Sequence, residues 1–462
     1  MSDTIPTITN DSADDESLEE DYPTVPFPFF EDDGNRPSSP ACLEEVGLSA
    51  SFLSDLIVKH LHRFGVLTGL EIAEKIRLPF PLLEPLLNEI IIQLYAEKKG
   101  GQGLGAASDR FGLTDRGRRH IQDLLALDTY IGPAPVPLDQ YWSYIQKHHL
   151  HSIRVTEALL REAWCDFIVD DSLFRQIGPA IRSGKSCFLY GPPGTGKTTF
   201  AKKIAQFYNQ HGGPIAVPHA LFAGGSIIRV YDPIHHKELT PSAADANRIF
   251  KNQGGDRRWA LCRRPAVIVG GELELSMLDL RYNPSTRYYE APLQMKANGG
   301  LLIIDDFGRQ MVQPRDLLNR WIIPLEERLD YLTLHTGKKF SIPFEQLVVF
   351  ATNMNPMDLV DEAFLRRIRY KIYIGEPSAV VYKSIFMKEC HKKELEIAEA
   401  DLDEIIRQCY LPANRPLRAC DPRDITDQIA DYCDFNELSK TIPFDLLKAI
   451  VAAYLTEINV GS

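Results

Sequence analysis

The segment that most restricts what this chain can fold into is "CFLYGPPGTGKTTF", residues 187–200. Gly191 to Thr198 fit the spacing G-x-x-x-x-G-K-[ST], with an apolar strand running in and the helical pattern "TTFAKKIAQFYNQ" running out. A strand must deliver such a loop and a helix must begin where it ends, so the surrounding layout is α/β. The glycines let the backbone turn tightly enough for its N–H groups to converge on phosphate oxygens. The helix adds the positive end of its dipole. The expected phosphate cradle is Gly191, Pro192, Pro193, Gly194, Thr195, Gly196, Lys197, Thr198 and Thr199. Lys197 would reach the outer phosphates of a nucleotide, and the Thr198 hydroxyl would ligate Mg²⁺. A Gly-rich turn with no ligand explains neither the lysine nor the threonine.

The second half of such a site is read in "NGGLLIIDDFGRQ", residues 298–310. Four apolar residues without polar alternation are the pattern of a strand buried on both faces. It delivers two carboxylates. Asp305 is expected to hold the metal, and Asp306 stands where a water-activating carboxylate belongs. Paired aspartates after an isolated strand are usually caps or turns, but beside a phosphate loop that reading loses.

With 462 residues the chain exceeds one compact core, so two or three domains are expected. The net charge of -12 is local: residues 1–45 hold 13 acidic residues and one Arg, which leaves 50 acidic and 50 basic residues in the rest. A neutral body argues against a nucleic-acid partner. Residues 1–45 read as a disordered acidic tail, with the apolar patch "YPTVPFPFF" at 22–30 as a secondary candidate for docking a partner. The eight cysteines form no CxxC pair, which points to reduced thiols in a cytoplasmic protein. No apolar run reaches the ~20 residues of a membrane span.

Residues 46–128 read as three helices, a Gly-rich hairpin and a closing helix, with Thr68 as a helix cap. That order resembles a winged-helix domain. Its third helix, 81–94, has Glu84 and Glu89 but no Lys or Arg, while Lys98, Lys99, Arg110, Arg116, Arg118 and Arg119 fall in the wing and beyond. Phosphate contact needs positive charge, so a protein-binding domain is favoured over a DNA reader. Residues 129–149, with three prolines in five residues, read as a stiff linker. Alternating strand and helix patterns over 150–375 indicate the α/β core, and 376–462 a helical lid.

With these pieces the chain resembles the AAA+ ATPases, and within them the MoxR-like branch, over about residues 150–440. "GPPGTGKT" and "LLIIDD" look like the two Walker motifs. "QLVVFATNMNP", 346–356, looks like the strand ending in sensor 1, which implies a polar sensor role for Asn353. "DEAFLRRI", 361–368, looks like the segment carrying the arginine finger, with Arg367 first and Arg366 second. "ACDPRDI", 419–425, resembles the lid segment of sensor 2 and implies Arg423, with Arg415 and Arg418 as competitors. The hairpin pattern in "LDYLTLHTGKKFSIPFEQ" before sensor 1 belongs to the same resemblance. The family implies Mg²⁺ and ATP as ligands, self-assembly into a ring (read as a hexamer) and remodelling or maturation of a protein partner. A slow ATP-binding switch and a DNA-associated motor are the alternatives. Two features depart from the pattern. Asp306 is one methylene shorter than the family's common Glu, a reach of roughly 1 Å, and a misplacement of that size can cost about 10²-fold in rate. The front domain and tail also fall outside the resemblance.

Overall fold

The computed structural model describes residues 35–101, 105–239, 255–412 and 414–457. The acidic tail expected over 1–45 lies outside the described residues up to 34. Residues 35–45 are packed: Tyr144 donates to the Asn35 carbonyl at 2.6 Å, Ser38 bridges to Gly255, and Leu43–Val46 forms one helical turn.

Five parallel strands carry the core: β1 (Cys187–Tyr190), β2 (Ala266–Val269), β3 (Leu301–Ile304), β4 (Leu347–Thr352) and β5 (Tyr370–Tyr373). Their spatial order is β2-β3-β4-β1-β5. The inner strands are almost wholly apolar because both faces are covered, whereas the edge strand β5 carries the exposed Lys371 and Tyr373. Successive residues alternate between two cores. Leu301, Ile303, Leu347 and Val349 pack with the helices Asp171–Ser183 and Lys197–His211. Leu302, Ile304, Val348 and Phe350 pack against Trp321 and the helix Pro314–Arg320. The order places β4 between β1 and β3. A polar residue just past the end of β4 is therefore brought between the phosphate loop and the aspartates.

A second, mixed sheet lies outside this core. It joins Val136–Pro137, Ala220–Ala223, Ser226–Arg229, Tyr289–Glu290 and Arg281–Tyr282 in that spatial order. The Pro-rich stretch is thus no free spacer. Val136 is buried and pairs in parallel with Leu221, and the helix that follows, Leu138–Lys147, buries Tyr141, Tyr144 and Ile145. Trp142 Nε1 donates to the Ser341 carbonyl at 3.0 Å, which ties that helix to the hairpin Leu329–Thr333/Lys339–Pro343. The buried pair Arg258–Asp256 fastens the same region: Arg258 donates to the Val46 carbonyl and to Gln140. Losing one partner of such a pair costs about 3–5 kcal/mol.

The N-terminal helices Ala50–Phe64, Gly69–Ile76 and Phe80–Ile92 pack with a three-stranded antiparallel sheet of Leu67–Thr68, Asp109–Leu113 and Ala96–Gly101, the first strand falling between the first two helices. Thr68 caps the second helix in a reciprocal box with Glu71. The C-terminal part is a bundle of Ala379–Lys392, Glu399–Ile405, Asp421–Phe435 and Phe444–Glu457 around its own apolar core. Among the described residues no helix is long and apolar enough to cross a membrane.

Candidate nucleotide site

The loop after β1 is held open by backbone that side chains other than glycine tolerate poorly. Gly194 has φ +79°, and a Cβ there would fall 2.7 Å from the Cys420 sulfur. Gly191 passes so close to β5 that a Cβ would fall 2.1 Å from the Ile374 carbonyl oxygen. Thr195 fixes the loop by donating to the Pro192 carbonyl at 3.0 Å. Pro193 lies within the turn, and Thr199 is in the first turn of the helix that Lys197 begins.

Lys197 is buried, and its ammonium donates to the Gly191 and Pro192 carbonyls at 3.0 and 2.7 Å. Burial lowers its pKa. Asp306 and Asp305 pull the other way, and the nearby Arg309 adds to the lowering. A polyanion in the loop would relieve that burial cost, since opposite charge favours the charged form. The Thr198 hydroxyl donates to Asp305, 2.8 Å from Oδ2 and 3.1 Å from Oδ1. A hydroxyl and a carboxylate meeting at a helix N-terminus are the oxygen donors a hard divalent cation takes, so the residues present fit Mg²⁺.

Asp306 has φ +48°, a left-handed conformation that Asp tolerates better than most residues. Such a conformation costs on the order of 1–3 kcal/mol and tends to persist at functional sites. It is held from several sides. Asn353 Nδ2 donates to Asp306 Oδ1 at 3.2 Å, Phe307 N–H donates to the Ala351 carbonyl at 2.7 Å, and Gln310 donates to the Asp305 carbonyl at 2.8 Å. The turn brings together the residues quoted from β1, β3 and β4: Lys197, Thr198, Asp305, Asp306 and Asn353.

The arginines divide differently. Arg423 is engaged by Asp424 at 2.9 Å, and its side chain is 68% exposed. The residue lying along the loop is Arg418, whose Cδ is 3.3 Å from a Cβ placed on Gly194; Cys420 N–H donates to the Gly194 carbonyl at 3.1 Å. Arg366 pairs with Glu362 and is 75% exposed, whereas Arg367 pairs with Glu326 at 2.9 Å. Two residues near the loop were not singled out as ligand-facing from sequence, Arg309 and Cys420. The only sequence signal for Arg309 was its place in the tight turn "DDFGR".

Two family models match the chain. Residues 187–231 match the ATPase family associated with various cellular activities (AAA), and residues 378–452 match a domain of unknown function, DUF8689. A proteasome-activating nucleotidase of Methanoregula boonei is 30% identical over 178 residues, 36% of this chain and 37% of that relative. The chain thus spans well under half of the relative's length. Among solved structures, the RuvB Holliday junction branch migration motor of Thermotoga maritima aligns over 64% of this chain and 73% of its own, at 13% identity and TM-score 0.36. NtrX from Brucella abortus in complex with ADP aligns over 64% and 58%, at 13% identity and TM-score 0.39. At those scores the overlays add nothing to the sheet order and loop described above. That sheet, its phosphate loop and the matched segment make the core of this chain an AAA-type P-loop ATPase fold.

Proposed function

We propose that the chain binds and hydrolyses Mg-ATP as a ring-forming ATPase of the MoxR-like branch, and that turnover remodels or matures a protein partner. The observation that carries this reading is the Thr198–Asp305 contact beneath the loop, with Asp306 and Asn353 joined beside it. Thr198 and Asp305 would hold Mg²⁺, which would supply positive charge to offset that of the phosphates. Lys197 would turn from the loop carbonyls to the phosphates. Asp306 would accept the proton of the attacking water, and Asn353 would hold that carboxylate and the water in line. The hairpin directly before β4 supports the MoxR-like assignment. An arginine from the neighbouring copy, Arg367 by preference over Arg366, would complete the site, with the ring read as a hexamer. Arg418 joins Arg423 as the lid candidate and is favoured by its contact with the loop. The domain of residues 46–128 would recruit the partner. Its third helix, Phe80–Ile92, lacks Lys and Arg, which speaks against a duplex grip.

A slow switch is the second reading, favoured by the short carboxylate of Asp306 on its left-handed backbone. One experiment separates the two: ATP turnover against protein concentration for wild type, Asp306→Asn and Asp306→Glu. The ring ATPase requires turnover that rises cooperatively and falls by about 10² or more in Asp306→Asn. Near-zero wild-type turnover that Asp306→Glu restores would establish the switch instead.

A further inference from the structure

Four segments of the C-terminal bundle send polar side chains to one buried point. Asp421, the first residue of its helix, is 1% exposed. Its Oδ2 accepts from the Tyr410 hydroxyl and its Oδ1 from the Tyr454 hydroxyl, both at 3.1 Å. The Tyr410 and Tyr382 hydroxyls are hydrogen-bonded at 2.8 Å, and the Cys420 thiol donates to Asp421 Oδ1 at 3.6 Å. Tyr382 comes from the helix Ala379–Lys392 and Tyr454 from Phe444–Glu457. Tyr410 ends a single π-turn, Ile406–Tyr410, a distortion frequent at functional sites. Burial pushes the Asp421 carboxyl up, while the hydroxyls and the Arg418 charge pull it down.

A core needs no such cluster for stability, since apolar packing of the same shape does as well or better. What a satisfied network does is admit one geometry and penalise its neighbours, because each displaced hydroxyl leaves a buried polar group unpaired. Here the fixed geometry belongs to a particular turn. Asp421 N–H donates to the Arg418 carbonyl at 3.2 Å, and Arg418, Ala419 and Cys420 form the turn that lies on Gly194 and Gly196. The carboxylate is thus one residue from the amide that bonds the phosphate loop.

We propose that Asp421, held by Tyr410 and Tyr454, is the positioning residue that sets the Arg418–Cys420 turn against the phosphate loop and so sets that loop's affinity for a nucleoside triphosphate. This rests on the ATP-binding reading above. A bound triphosphate draws Arg418 toward its charge, and the turn transmits that pull to Asp421. Through the tyrosines the pull reaches three other helical segments.

The test is equilibrium binding of a fluorescent ATP analogue with Mg²⁺, together with melting temperatures with and without ATP. The chains are wild type, Tyr410→Phe, Tyr454→Phe and Ile429→Val. The last removes one buried methyl from the same apolar core and no polar group of the network. Each Tyr→Phe change is expected to raise the Kd about 5–10-fold, by loss of a hydrogen bond to a charged group. It should also shrink the ATP-induced rise in melting temperature, while Ile429→Val lowers the unliganded melting temperature and leaves the Kd unchanged. A Kd within twofold of wild type in both Tyr variants, with only their unliganded melting lowered, would reduce the network to a structural role and overturn the proposal. Failure of the wild-type chain to bind the analogue would instead overturn the ATP reading, and this proposal with it.

Discussion

Asp306 and Arg418 mark the two limits of what single residues disclosed. Asp305, Asp306, Lys197 and Thr198 were legible in the sequence because each sits within a few residues of the strand or helix that aims it. Asn353 was legible for the same reason, at the end of a run of buried residues in β4. The left-handed backbone of Asp306 was not, because it depends on Ala351 and Asn353, more than forty positions away. The lid arginine was ambiguous because contact with the loop is made by a turn, and a turn has no period that favours Arg418 over Arg423. The structure yields a direct prediction. Arg418→Ala is expected to lower kcat/KM for ATP by about 10–100-fold, the loss of one charge-assisted contact. Arg423→Ala, already paired to Asp424 in solvent, is expected to stay within about twofold. Steady-state hydrolysis of both variants checks this, and the reverse ranking would restore Arg423 as the lid residue.

At the scale of elements, β1, β3 and β4 were legible as apolar runs, whereas the edge strand β5, with its lysine, and the second sheet were not. Its strands are two to four residues long, too short to show alternation, and Val136–Pro137 pairs with residues more than eighty positions later. This sheet leads into a turn with its own measurable consequence. His236 is buried, accepts the Asp232 N–H at Nδ1 and donates from Nε2 to the Lys296 carbonyl, both at 2.9 Å. Asp232, His235 and Lys296 are the charged or titratable groups that act on it, and the Tyr231 ring stacks on it. Burial pushes its pKa from 6.5 down to about 4. The folded chain therefore keeps this ring neutral, while the unfolded chain takes up a proton below 6.5. The stability is fully present above pH 6.5 and is lost as pH falls toward 4, by about 3 kcal/mol at most. Thermal melts between pH 7 and 4 should show this decline, and His236→Gln should have a lower melting temperature at pH 7 with a shallower slope. An unchanged slope would place the acid sensitivity elsewhere.

At the scale of the whole molecule, the ring reading makes a prediction that a self-sufficient monomer cannot meet. Arg367→Ala should bind ATP normally and lose about 10³-fold or more in turnover, the usual worth of a supplied arginine. Lys197→Ala should fail to bind. Mixed together, the two inactive chains should recover part of the activity, because a Lys197→Ala copy still offers its Arg367 to a neighbour with an intact loop. Hydrolysis assays across mixing ratios test this, and mixtures as inactive as their components would sink the assignment of Arg367.

The way residues 134–147 are stitched into the second sheet bears on the proposed function. A loose tether would let the N-terminal helices drift relative to the core. Here the connecting strand shares backbone hydrogen bonds with Ala220–Ala223, its helix is pinned to the hairpin through Trp142, and Arg258 clamps Val46 to the same place. Under the proposed function such a joint would act as a crank: a rotation of the core would carry the N-terminal helices with it, and the displacement would grow with distance from the phosphate loop.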